Sequence, residues 1–346
     1  MPSVKFIFLL VTTHIPAYFG CENSIFLPLI KYCVTYNGTY RQTLRSKTIT
    51  SSSGVSIEVV NELIPKLCCS MINFTQELDG MNFDRCGIKE IEACFSEHIR
   101  DIKHQLTIVN NRITTIKKHT FKNLSVRSIV LLHNFIKSVE DAAFNHLPHL
   151  EQLNLSNNRL KNLNPNAFKE TPNLRALFLY CNDIMHLEEK AFAFAQHPNI
   201  FITLASNGIS KIDRHFLKNL PPQIRLALDL TDNNIKRLGE DIFSNHVFAH
   251  LELLHNPLVE VDTNFCRNCT IEWFTFSCEY LDNNSADFLL KWIEIYEIDV
   301  VTGKCPQYNF TQNNISEPTK CEGCKTDSQR ILLAATYSIT LIFAVY

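Results

Sequence analysis

Seven asparagines keep register along the middle of the chain, and their spacing limits the fold more than any other feature. Asn111, Asn134, Asn158, Asn182, Asn207, Asn233 and Asn256 stand 23, 24, 24, 25, 26 and 23 residues apart. Each belongs to the same apolar pattern. Residues 151–174 carry it as Leu153, Leu155, Asn158, Leu160, Leu163 and Phe168, and the next unit as Leu177, Leu179, Asn182, Ile184, Leu187 and Phe192. A weaker opening unit has Met81, Phe83, Ile88, Ile91 and Phe95, with Cys86 where the others have asparagine. About eight units therefore cover residues 78–264.

The spacing assigns each position a task. Side chains on a strand alternate between faces, so the paired leucines point one way, into the coil. The asparagine follows where the chain must bend, and its amide is suited to satisfy backbone groups that the bend leaves without partners. The later Ile/Leu pair and the phenylalanine fill the interior of the return path. No unit of this size can close a core alone, so each depends on its neighbours.

Thirteen cysteines are distributed unevenly: six lie between Cys21 and Cys94, six between Cys266 and Cys324, and only Cys181 between. Two stapled ends need an oxidising compartment. The disulfide candidates are Cys68, Cys69, Cys86 and Cys94 at one end, and Cys266, Cys269, Cys278 and Cys305 at the other. Pairing within the clusters leaves Cys181 over, for a disulfide-linked partner or as a buried, inert side chain. Residues 1–20 read as a signal peptide, with Lys5 before the apolar run Phe6–Val11 and cleavage after Gly20 or Ala17. Asn-X-Ser/Thr acceptors at Asn37, Asn73, Asn123, Asn154, Asn268, Asn283, Asn309 and Asn314 point to the same secretory route.

The repeat residues resemble the extracellular leucine-rich-repeat family, in the form with a repeat of roughly 24 residues and a cysteine-rich C-terminal cap. The resemblance implies an α/β solenoid: a curved horseshoe with a parallel sheet along its concave side and disulfide-stapled caps. It further implies a receptor or adhesion protein, surface-anchored or secreted, that meets a protein ligand on that sheet. A secreted non-catalytic subunit or an innate-defence recognition protein is the alternative. Residues 265–306 look like the family's C-terminal cap, although Cys266-X-X-Cys269 replaces the usual Cys-X-Cys. The region 21–77 is expected to be an N-terminal cap, with Cys86 stapling it to the coil. Within that region Thr48–Gly54 reads as a flexible polar run and Ser56–Leu67 as a helix.

Residues 307–330 read as a polar stalk and 331–346 as an apolar tail. A tail that short fits a lipid-anchor signal, a short transmembrane helix, or the end of a secreted product, in that order.

Alternation also identifies the outward strand positions, and some of them break the rule that solvent-facing positions are polar. Val130, Leu132, Phe178, Tyr180 and Phe201 are expected to form an exposed apolar patch, with Asp229 and Glu252 as acidic members of the same ligand-binding face. The alternative is that the N-terminal segment folds across it. A glycan on Asn154 would divide the patch. No catalytic motif, cofactor fingerprint or metal-ligand spacing stands out. With 33 basic against 35 acidic residues, the chain has no field to draw in nucleic acid.

Overall fold

A computed structural model describes residues 6–7, 46–51, 54–61, 63–64, 66–67, 78–99, 102–296 and 299–302. One large sheet takes its strands in chain order. They are β1 (Ser46–Ser51), β2 (Gly54–Val60), β3 (Leu78–Asp84), β4 (Ile102–Val109), β5 (Ser128–Val130) and β6 (Gln152–Asn154), then β7 (Ala176–Phe178), β8 (Asn199–Thr203), β9 (Arg225–Asp229), β10 (Val247–Leu253), β11 (Thr270–Phe276) and β12 (Asp299–Thr302). The hairpin β1–β2 is antiparallel. Every later neighbour is parallel, as one strand per coil requires.

The inward pairs do what alternation demands: Leu153, Leu155, Leu177 and Leu179 are fully buried. After each pair the chain turns through a residue with left-handed backbone. Asn110, His133, Asn157, Cys181, Ser206, Asp232 and His255 all have φ between 53° and 56°, and each immediately precedes a ladder asparagine. None is glycine, so every corner carries a conformational cost that the following hydrogen bonds must offset.

Those hydrogen bonds are made by the asparagines. Asn158 Oδ1 accepts from the Ile136 amide at 2.9 Å, while its Nδ2 donates to the carbonyls of Leu131 at 3.0 Å and Leu155 at 2.9 Å. One side chain thus ties its own bend to the coil before it. Asn182 repeats this on Leu160, Leu155 and Leu179, and Asn256 on Ile235, Leu230 and Leu253.

The return path contains no α-helix among the described residues. Two-residue parallel bridges stand in its place, such as Thr115–Ile116 on Ser138–Val139 and His186–Leu187 on Lys211–Ile212. Behind them runs a spine of phenylalanines. Phe121, Phe144 and Phe168 stack at 5.3 and 5.7 Å, and Phe192, Phe216, Phe243 and Phe265 continue edge to face at 5.7 to 6.3 Å. The sequence pattern had supplied no phenylalanine for the Asn207 and Asn256 units; Phe216 and Phe265 fill those places.

Three expectations at the N-terminal end are corrected. Ser56–Leu67 does not form a helix, because residues 54–60 are β2, paired in parallel with β3. The β-branched Val55, Ile57, Val59 and Val60 suit a strand, and β3 would otherwise present an unpaired edge. Val59, Ile64 and Leu67 then enter the core as members of a further coil. Of the polar run before it, residues 48–51 lie in β1 and Gly54 in β2, with 46–51 paired on 54–59. Cys86 is not a staple but a ladder residue. It is fully buried, and its Sγ lies 3.3 Å from the Val59 carbonyl of the preceding coil, where an asparagine would place its amide nitrogen.

At the other end α1 (Asn283–Tyr296) covers the last coil. Asp282 caps it through Oδ1, which accepts the Ser285 amide at 2.7 Å. Buried Ser285 accepts the Val261 amide through Oγ at 3.0 Å, satisfying a donor that no further coil reaches. Trp292 packs on Phe265 with ring centres 5.0 Å apart. Cys266 and Cys269 are bonded to each other, and Cys278 is also disulfide-bonded. Cys94 lies in the 3-10 helix Ala93–His98, while Cys68, Cys69 and Cys305, and the stalk and tail, lie outside the described residues.

Asn158→Ala is expected to lower the unfolding free energy by about 2–4 kcal/mol, because one buried amide and two buried carbonyls lose their partner. Urea denaturation followed by circular dichroism measures it.

Candidate functional site

Strand register arranges the outward side chains of the sheet into rows. The central row runs Thr107, Val130, Asn154, Phe178, Thr203, Asp229, Glu252 and Thr275. One side of it carries Ala176, Phe201, Ala227, His250 and Trp273. Leu132, Ser156, Tyr180 and Ala205 lie on the other side, two residues along each strand.

Register brings Phe178, Tyr180 and Phe201 together as expected, but not as an exposed patch. They are only 5%, 8% and 7% exposed, and with Ala176, Cys181 and Ala227 they form a second apolar cluster separate from the main core. The Phe178 and Phe201 rings meet edge to face at 5.7 Å. Alternation gives the direction of a side chain but not what packs around it, so burial at these positions is invisible to the pattern. Val130 and Leu132 keep partial exposure. Cys181, left over in the sequence, is disulfide-bonded.

Asn154 sits half-buried in the central row between Val130 and Phe178, its Oδ1 accepting the Ser156 amide at 2.9 Å. Asn123, Asn268 and Asn283 are exposed away from this face. Asn37, Asn73, Asn309 and Asn314 lie outside the described residues.

The acidic members of the row are adjacent: Asp229 on β9 pairs in register with Glu252 on β10. Asp229 accepts from the Thr203 hydroxyl at 2.8 Å and the Thr231 amide at 2.9 Å, and the Thr231 side chain also bonds it. Burial pushes its carboxyl above the usual range. Glu252 is pushed up to about 8, first by burial and then by the like charge of Asp229. Both side chains retain some accessible surface. At the edge of the same face Arg225 is engaged by both carboxylate oxygens of Glu272, and burial lowers the His250 imidazole, keeping it neutral.

A family model described as leucine rich repeat matches residues 104–160, 125–184 and 148–194 in overlapping frames. Residues 104–194 are leucine-rich repeats. One curated relative, a probable glycoprotein hormone G-protein coupled receptor of Anthopleura elegantissima, is 32% identical over 89 residues, which is 25% of this chain and 10% of that protein. Two solved structures share the fold, both of the Toll–Spatzle complex of Drosophila. The glycosylated form aligns with a TM-score of 0.51 at 15% identity over 64% of this chain and 30% of that one. The other aligns with a TM-score of 0.51 at 17% identity over 68% and 31%. The chain thus spans about a tenth of the curated relative and under a third of the solved chains.

On this face the sequence alternation reaches Thr203, Asp229 and Glu252 but stops short of their neighbour Thr275. Thr275 sits at the outward position of β11, so the same alternation names it once β11 is recognised as another strand of the sheet. Among the described residues no three His, Cys, Asp or Glu side chains gather as a metal site.

The acidic pair should leave a mark on stability. Folded, Glu252 holds its proton to about pH 8, whereas its ordinary value is 4.5. Within that window the folded state binds the extra proton, so stability falls as pH rises and this contribution is gone above pH 8. Glu252→Gln should therefore melt like the parent at pH 4 and roughly 2–5 °C higher at pH 9, as thermal scans across pH would record.

Proposed function

We propose that the protein is an extracellular binding protein of receptor or adhesion type that engages a protein ligand through the face of its large sheet. One observation carries this reading. A sheet face with only a structural task has no use for adjacent, desolvated carboxylates beside partly exposed valine and leucine, since like charges directly opposite cost stability. This face keeps Val130, Leu132, Asp229 and Glu252 at such positions.

The signal-like leader, the sequons and the disulfide-bonded Cys181, Cys266, Cys269 and Cys278 support an extracellular setting. The relatives' names, a hormone receptor and the Toll–Spatzle complex, agree with a protein ligand. No constellation suited to acid–base or nucleophilic chemistry accompanies the carboxylate pair, whose neighbours are threonines. Attachment to the cell surface through the 331–346 tail, by a lipid anchor first and a short span second, completes the proposal.

Two glycan wedges test the face. Val130→Asn with Leu132→Thr places a sequon on the sheet; His186→Asn with Glu188→Thr places one on the opposite side. Screened against displayed extracellular proteins, the parent and the second variant should bind the same partner and the first should lose it. A partner retained by the first variant would show that binding lies elsewhere. Full release of the protein from cells by a phospholipase specific for lipid anchors is expected; quantitative recovery in the medium without enzyme would favour the secreted alternative.

A further inference from the structure

We propose that Asp229, Glu252 and Thr275 form the acceptor for one cationic side chain of the protein ligand, a lysine ammonium or an arginine guanidinium. The proposal rests on the sheet face being the binding face and specifies the chemistry that face recognises.

The geometry comes first. Neighbouring strands lie about 4.8 Å apart, so in-register residues on one face are in reach of a single group. Asp229, Glu252 and Thr275 occupy three consecutive strands of one row. Thr275 is 5% exposed, yet its hydroxyl has no hydrogen-bond partner. A buried polar atom without a partner is costly, and this one stands next to a carboxylate on an outward row. Asp229 is engaged by Thr203 and Thr231, and a carboxylate can accept about four hydrogen bonds. The site therefore keeps acceptor capacity along one row of three adjacent strands.

The electrostatics give the sign of the missing group. Glu252 feels the like charge of Asp229, and among the described residues no cation acts on either carboxyl. The charged groups packed nearby are already committed. Arg225 is held by Glu272, and His250 is kept neutral by burial. The folded pair avoids that repulsion by holding a proton, and a neutral ligand would leave the proton in place. One positive charge between the carboxyls offsets the repulsion and lets both ionise.

Coordination number favours an organic cation over a metal. Calcium takes 6–8 oxygens and magnesium a near-ideal octahedron. Two carboxyls on a sheet meet neither demand, whereas an ammonium offers three donors and a guanidinium a planar fork that suit acceptors in a row.

The test uses the glycosylated full chain and two probes, a tetra-arginine peptide and calcium chloride, in calorimetric titrations at pH 7 and physiological salt. The peptide should bind, and repeating the titration in buffers of different ionisation enthalpy should reveal proton release, because the cation displaces the proton held by the pair. Asp229→Asn and Glu252→Gln should each weaken peptide binding at least tenfold, whereas Glu170→Gln on the opposite side should not. The two sheet variants only exchange oxygen for an amide, and their melting curves verify folding. No peptide binding by the parent, binding unchanged in both variants, or calcium binding lost in both would each overturn the proposal. If the carboxyl variants keep a partner that the Val130/Leu132 glycan wedge abolishes, the binding face stands and only this acceptor falls.

Discussion

Each coil from Asn111 to Asn256 depends on one side-chain amide bridging to the coil before it. The corner after each strand leaves buried amides and carbonyls that neither the strand ladder nor water satisfies, and it adds a left-handed residue that is not glycine. An asparagine there answers both needs, with one oxygen accepting across the interface and one nitrogen donating to both coils. Because the bridge points backward, no coil is complete without its predecessor. That is why the sheet takes its strands in chain order, and why a terminal coil must be closed by other means. At the C-terminal end Ser285 and Trp292 of the cap helix do so.

The ladder also explains how much of the fold the sequence discloses. An asparagine fixed by geometry recurs at a fixed period, so Asn111 to Asn256 were legible at once. Where chemistry changes but the place does not, the pattern fades. Cys86 holds its place with a thiol, donating to Val59 as asparagines donate elsewhere, and so it was taken for a staple. One coil earlier Val59, Ile64 and Leu67 enter the core where the sequence predicts a helix. The spacing of those apolar residues matches the later units, and it is the signal that would have revealed them. The sheet face behaves differently. Alternation named Phe178, Tyr180, Phe201, Asp229 and Glu252 as outward, but their surroundings depend on neighbours one and two coils away. Burial of the aromatic trio and the Thr203–Asp229 hydrogen bond are properties of the stacked array, not of any single repeat.

A scaffold fixed in this way leaves its outward residues open to function. The corners, inward leucines and phenylalanine spine are all committed to the stack, while the outward rows carry no such duty. Burial raises the proton affinity of both carboxyls there, the charge of Asp229 raises that of Glu252 further, and among the described residues no counter-cation meets them. Such an arrangement costs stability in the isolated chain and gains it back when a cation arrives, so a site of this kind favours a charged partner over a neutral one of the same shape.

The claim on which this account turns is that Glu252 is a desolvated acid beside a second one. Carbon-detected NMR titration of the labelled Glu252 carboxyl, with Glu252→Gln to assign the signal, tests it without any ligand. The account predicts a midpoint of about 8. A midpoint near the ordinary value of 4.5 would contradict it, since the pair would then be solvated, and the sheet face would hold no charge in need of a partner.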